Sequence, residues 1–90
     1  MVGEMIDAKT LGATDAVHTR RMALLASTSP DVWERPMDLG GSSRSHHSSD
    51  LGYLVKRRLV EKRPRASGYT RPSWLYRRTM AGTHYLRAHE

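Results

Sequence analysis

Apolar residues recur along this chain in short, separated stretches whose spacing changes from helical to alternating and back. Val17, Leu24 and Leu25 fall on one side at about 100° per residue, with Ala residues nearby, which predicts a helix from Thr14 through about Ser27. Thr14 stands where a capping hydroxyl belongs, and Asp15 occupies the first turn, where the helix dipole favours an acid. Arg21 lies on the same stripe, so either its stem packs while its head reaches solvent or the stripe is narrower than drawn. Thr28-Ser-Pro-Asp ends this helix and Val32-Trp33 forms a short extended piece. Arg35, preceding Pro36, is biased away from helix. Pro36 then opens a very short helix, Met37-Asp-Leu-Gly, closed by Gly40-Gly41. Trp33, Met37 and Leu39 are the expected core contributors of this region.

The helical period returns between Ser43 and about Arg57. His47, Leu51, Leu54, Val55 and Arg58 gather on one side of this second helix. Ser45, Ser49, Gly52 and Lys56 gather on the other, flanked by His46, Ser48 and Tyr53. Serine and glycine lower helix propensity. Their concentration on the outward side suits a rod that admits close backbone approach; the plainer alternative is a poorly optimised surface. Past residue 58 the period shortens to two. Leu59-Val60-Glu61-Lys62-Arg63 predicts a strand, residues 64–72 supply turn chemistry, and residues 73–78 predict the returning strand. Thr79 caps a final helix from Met80 to about His89, with Gly82, Tyr85 and Leu86 on one face. Residues 1–13 show weak periodicity and are expected to be an N-terminal arm, with residues 14–90 forming one domain.

Charge sharpens this outline. Ninety residues support a core only marginally large enough to fold unaided. The formal net charge is +6, but residues 1–38 hold six acids against four bases and residues 39–90 hold three acids against eleven. From Lys56 to Arg78 there are nine bases and one acid, Glu61. Clustered Lys and Arg exchange counterions with a phosphate backbone, so a polyanion is the expected partner. The absence of cysteine excludes disulfides and thiolate metal sites and fits a reducing cytoplasm. No apolar run approaches the ~18 residues of a membrane span, and the N-terminus carries acids where a signal peptide carries bases.

Two motifs resemble a known family. Gly41-x-Ser43-x-Ser45-x-x-Ser48, followed by Leu51-x-x-Leu54-x-x-x-x-Leu59-Val60-Glu61, looks like the recognition helix and first wing strand of MarR- and PadR-type bacterial transcriptional regulators. Tyr76-Arg-Arg-Thr79-Met-Ala-Gly82-x-x-Tyr85-Leu86 looks like their closing strand and helix. The resemblance covers about residues 35–87. It implies an α+β, mainly α, fold: a winged helix with a three-helix core, a two-stranded β-hairpin wing and a C-terminal helix. The chain departs from the pattern in its very short helix before the turn, and in Arg58, where these families commonly place Gly. Such a module, bacterial or phage, is expected to be cytoplasmic and to bind double-stranded DNA; a homodimer is compatible with it.

Helix-turn-helix docking puts the N-terminal residues of the second helix nearest the base edges. Transferred here, the base-reading candidates are Ser43, Arg44, Ser45, His46 and Ser49, with Ser48 a further DNA contact. Arg44 offers a guanidinium to a guanine edge or to a phosphate. Lys56, Arg57, Lys62, Arg63, Arg65 and Arg71 are the expected phosphate or minor-groove contacts. Tyr53 and Tyr69 fit either phosphate contact or core packing. His46–His47 and His84–His89 lack the i, i+4 spacing of paired ligands, so no metal is expected. No phosphate loop or nucleophile–base pair suggests an enzyme, and neither a cofactor nor a small-molecule ligand is expected. Two other readings use the same basic hairpin: an adaptor for an acidic protein, and an RNA-binding module.

Overall fold

Thr14 begins the first helix as its hydroxyl predicts. In the computed structural model, which describes residues 10–41, 46–65 and 73–89, helix α1 spans Asp15–Ser27, and Thr14 Oγ1 accepts from the Val17 N–H at 3.2 Å. The inner side of α1 buries Leu24 and Leu25. A 3-10 turn, Pro36–Leu39, ends on Gly40, whose φ of 90° is left-handed. Before it, the Glu34 and Tyr76 backbones exchange two hydrogen bonds, of 2.9 and 2.8 Å. That bridge, with the Arg78 N–H donating to Ser29 O at 2.8 Å, fastens the segment between α1 and the turn to the later hairpin.

Helix α2 spans His47–Lys56, with His46 at its N-cap in non-helical geometry (φ −93°, ψ 11°). It therefore starts several residues after Ser43; residues 42–45 lie outside the described ones. Its inner side buries Leu51, Leu54 and Asp50. The helix ends in a Schellman arrangement: the Leu59 N–H donates to Leu54 O at 3.0 Å and the Arg58 N–H to Val55 O at 3.0 Å. This geometry needs a left-handed residue between them, and Arg58 takes it with φ 62°. Arg58 is consequently exposed, not on the inner side where the wheel placed it.

Strands β1 (Val60–Pro64) and β2 (Trp74–Arg78) pair antiparallel, with Val60 opposite Arg78, Lys62 opposite Tyr76 and Pro64 opposite Trp74. Alternation puts Val60, Lys62, Tyr76 and Trp74 on one face, and Glu61, Arg63, Leu75 and Arg77 on the other. Val60 and Tyr76 are buried, so the first face turns its inner end to the core. Helix α3, Met80–Ala88, begins on Thr79, whose Oγ1 accepts from the Gly82 N–H at 3.0 Å and donates to Arg58 O at 2.8 Å. A Cβ at buried Gly82 would strike the Leu59 carbonyl, so only glycine lets α3 lie this close to the end of α2.

Leu11, Leu24, Leu25, Leu51, Leu54, Leu59, Val60 and Tyr76 form the core, with Leu39, Tyr53, Val55, Tyr85 and Leu86 packed around it. Met37, expected in this core, is 63% exposed, because the 3-10 turn is too short to point more than Leu39 inward. Trp33 is half-buried beside the hairpin and does not join the central cluster. Leu11, from the stretch expected to be an arm, is fully buried. Its N–H donates to His18 Nδ1 at 2.9 Å and its carbonyl accepts from Arg21 Nη1 at 2.6 Å. The described residues thus make a small, mainly helical α+β unit of three α-helices and a two-stranded hairpin. No helix among them is long and apolar enough to cross a membrane.

Candidate nucleic-acid interface

Burying Leu51 and Leu54 against α1 turns the opposite side of α2 to solvent. Ser48, Ser49 and Lys56 are exposed there, and a Cβ placed on Gly52 would meet nothing within 4 Å beyond its chain neighbours and the helix's own backbone. The small-residue side is therefore open along the described helix. Ser49 Oγ donates to the His46 carbonyl at 3.2 Å, and exposed His46 has no side-chain capping bond. His47, by contrast, turns inward and its Nε2 lies 2.9 Å from Leu39 O. Ser43, Arg44, Ser45 and Arg71, together with Tyr69, lie outside the described residues.

The hairpin completes the surface. Ser48 lines one groove, of about 370 Å³, with Met37, Arg65, Ser73, Trp74 and Tyr76. Lys62 projects from the same strand face, its Nζ 4.4 Å from the Trp74 ring centroid. Arg65 is half-buried, and its backbone N–H extends the ladder to Ser73 O at 3.0 Å. Arg35 Nη2 lies 3.0 Å from Asp38 Oδ1. Hydrogen bonds from the Arg35 side chain and backbone, with the charges of Arg35 and Arg65, hold the Asp38 carboxyl below its ordinary value. The groove is thus lined by Arg65 and the Asp38-paired Arg35, with Trp74 and Tyr76 as its aromatic surface.

Two candidates point elsewhere. Arg57, about 100° further round α2 than Lys56, donates through Nη1 to Tyr53 Oη and, at 2.8 Å, to Thr10 O. It ties the N-terminal segment to α2 and does not join the serine side. Arg63 lies on the other strand face, its guanidinium 4.4 Å from the Trp33 ring, while that of Arg77 lies 4.5 Å from the same ring. Arg77 also pairs with Glu61 at 3.1 Å. Alternation along β1 separates Arg63 from Lys62, which a count of positive charge does not reveal.

Asp50 was missed by the periodicity and matters most to the helix's placement. It is 2% exposed and accepts from Arg20 Nε at 2.7 Å, Arg20 Nη2 at 2.9 Å and Arg21 Nε at 2.9 Å. Burial pushes its carboxyl up, but the hydrogen bonds and charges of the two guanidiniums outweigh this and hold it below its ordinary value. Arg20 is raised in turn by its hydrogen bond to Asp50. The signal was present: an acid on the inner half of one amphipathic helix, and adjacent bases on another. Arg21 does not send its head to solvent; it stacks 4.0 Å from the Tyr53 ring and bonds inside. This bidentate clamp fixes α2 against α1 and so sets which side of α2 faces out. Comparison with family models, curated proteins and solved structures finds no match to this chain.

Proposed function

We propose that this chain is a winged helix-turn-helix regulator that binds double-stranded DNA sequence-specifically, with α2 in the major groove and the hairpin on the backbone or in an adjacent minor groove. One observation carries the reading: Ser48, Ser49 and Lys56 are exposed on one side of α2, and Ser48 shares a groove with Arg65 of the hairpin, so helix and hairpin border one surface. The order of elements supports it. A helix, a one-residue bridge, a tight turn, a second helix, a hairpin and a closing helix follow one another, an order that suits a recognition helix held over a wing. The small outward side chains, open space at Gly52 and exposed Lys56 suit insertion between phosphate backbones. In this reading Ser48, Ser49 and Arg44 meet base edges, and Lys56, Lys62, Arg65 and Arg71 meet phosphates.

Selection of preferred sites from a random duplex pool, followed by mobility shifts on winners and losers, tests the proposal. Four phosphate contacts predict that log K falls with log salt at a slope of about −3 to −4. Binding that ignores both sequence and salt would end this reading.

A further inference from the structure

We infer that the groove between α2 and the hairpin takes one unpaired nucleobase, so that the protein engages DNA where duplex meets single strand. This deepens the duplex-binding proposal and rests on it for the neighbouring helix contact. Trp74 is 38% exposed and Met37 63% exposed, and both line this one groove, with buried Tyr76 beneath them. Isolated exposed apolar side chains are ordinary. Two in one cleft of about 370 Å³, within the size range of small-ligand sites, are not. Cations border this apolar centre: Lys62 stands over the indole at 4.4 Å, and Arg65 lines the wall with Arg35, which is paired with Asp38. A positive groove around an aromatic platform is the arrangement that holds single-stranded nucleic acid by stacking.

A stacked duplex explains these groups poorly. Its grooves present base edges, whereas an indole needs a ring face, and a base offers one only outside the stack. Extrusion costs unstacking and unpairing, a cost already met in an overhang or mismatch. A second observation points the same way. Ser73 Oγ is buried, lines the groove and makes no hydrogen bond among the described residues. Buried hydroxyls are normally satisfied; this one is closed to solvent here, so a base edge against Trp74 would meet it once the groove wall shifts slightly.

The test uses the full chain and three DNAs of one random-sequence duplex pool: blunt, with a short single-stranded overhang, and with the same overhang made abasic. Anisotropy titrations should give about tenfold tighter binding to the overhang than to the blunt duplex, a preference lost on the abasic probe and in Trp74→Ala. Trp74 emission in a Trp33→Phe chain should be quenched by the overhang and not by its abasic counterpart, a readout independent of whether Trp74→Ala folds. Equal affinity for blunt and overhanging DNA overturns the base groove and leaves the duplex reading standing. Binding to the overhang strand without any to blunt duplex supports the base groove and ends the duplex reading. No binding to any probe ends both. Quenching of Trp74 by a Trp-free acidic peptide, as strong as by the overhang, overturns the inference and assigns the groove to a protein partner.

Discussion

Arg58 shows how one residue meets a demand set by its neighbours. The bonds from Leu59 and Arg58 to Leu54 and Val55 close α2 only if position 58 is left-handed, and its φ is 62°. Any side chain with a Cβ is strained there, by about 1 kcal/mol or more, whereas glycine is not. Arg58→Gly should raise unfolding stability by about 0.5–1 kcal/mol, read from urea denaturation, since the Arg58 carbonyl that accepts from Thr79 is unchanged. Asp50 is the opposite case, a residue whose removal leaves charge behind. Asp50→Asn takes the charge partner from Arg21, whose side chain is 18% exposed, and should cost about 2–3 kcal/mol. The pH dependence follows from its depressed carboxyl. A carboxyl lower in the folded than in the unfolded chain contributes stability above its ordinary value, and that contribution is lost as pH falls through the folded value. Urea midpoints from neutral to strongly acidic pH should therefore drop less steeply for Asp50→Asn than for the native chain.

At the scale of elements, α2 divides its charges between two tasks that its sequence does not separate. Lys56 and Arg57 are neighbours, yet Lys56 is exposed on the serine side while Arg57 holds Thr10 and Tyr53. If α2 enters the major groove, Lys56→Ala should reduce the salt slope of DNA binding by about one and leave stability within about 0.5 kcal/mol. Arg57→Ala should do the reverse, lowering stability by about 1–2 kcal/mol while the salt slope holds. Mobility shifts at several salt concentrations, paired with denaturation curves, distinguish the two. The inner side of α2 was legible through Leu51 and Leu54, and the caps through Thr14 and Thr79, because period and capping act over a few residues. The 3-10 turn was legible in position but not in burial. Met37 follows a proline that starts a single turn, and one turn has too few positions to hide two long side chains.

For the molecule as a whole, the N-terminal segment belongs to the balance of forces. Leu11 is fully buried, and its backbone is held by His18 and Arg21, and that of Thr10 by Arg57. In so small a core each leucine is a sizeable share of the buried apolar surface. Leu11→Ala should destabilise the protein by about 2–4 kcal/mol in urea denaturation. No periodicity announces Leu11, since a lone apolar residue in an irregular segment has no repeat to belong to. The same limit hid the division of the basic hairpin, where pairing sends Lys62 toward the α2 side and Arg63 over Trp33.

The sequence by itself determined the order of elements, the caps at Thr14 and Thr79, the leucine side of α2 and the net positive charge of the second half. These depend on backbone period, side-chain chemistry and composition, which need no partner distant in the chain. Only the tertiary structure decided that Asp50 locks α2 to α1, that Arg57 and Arg63 turn away from the open side, and that Ser48, Trp74 and Met37 meet in one groove. Each of those outcomes joins residues far apart in sequence, and which groups meet is fixed by packing: the helices must bury their leucines together, and everything polar is placed by that requirement.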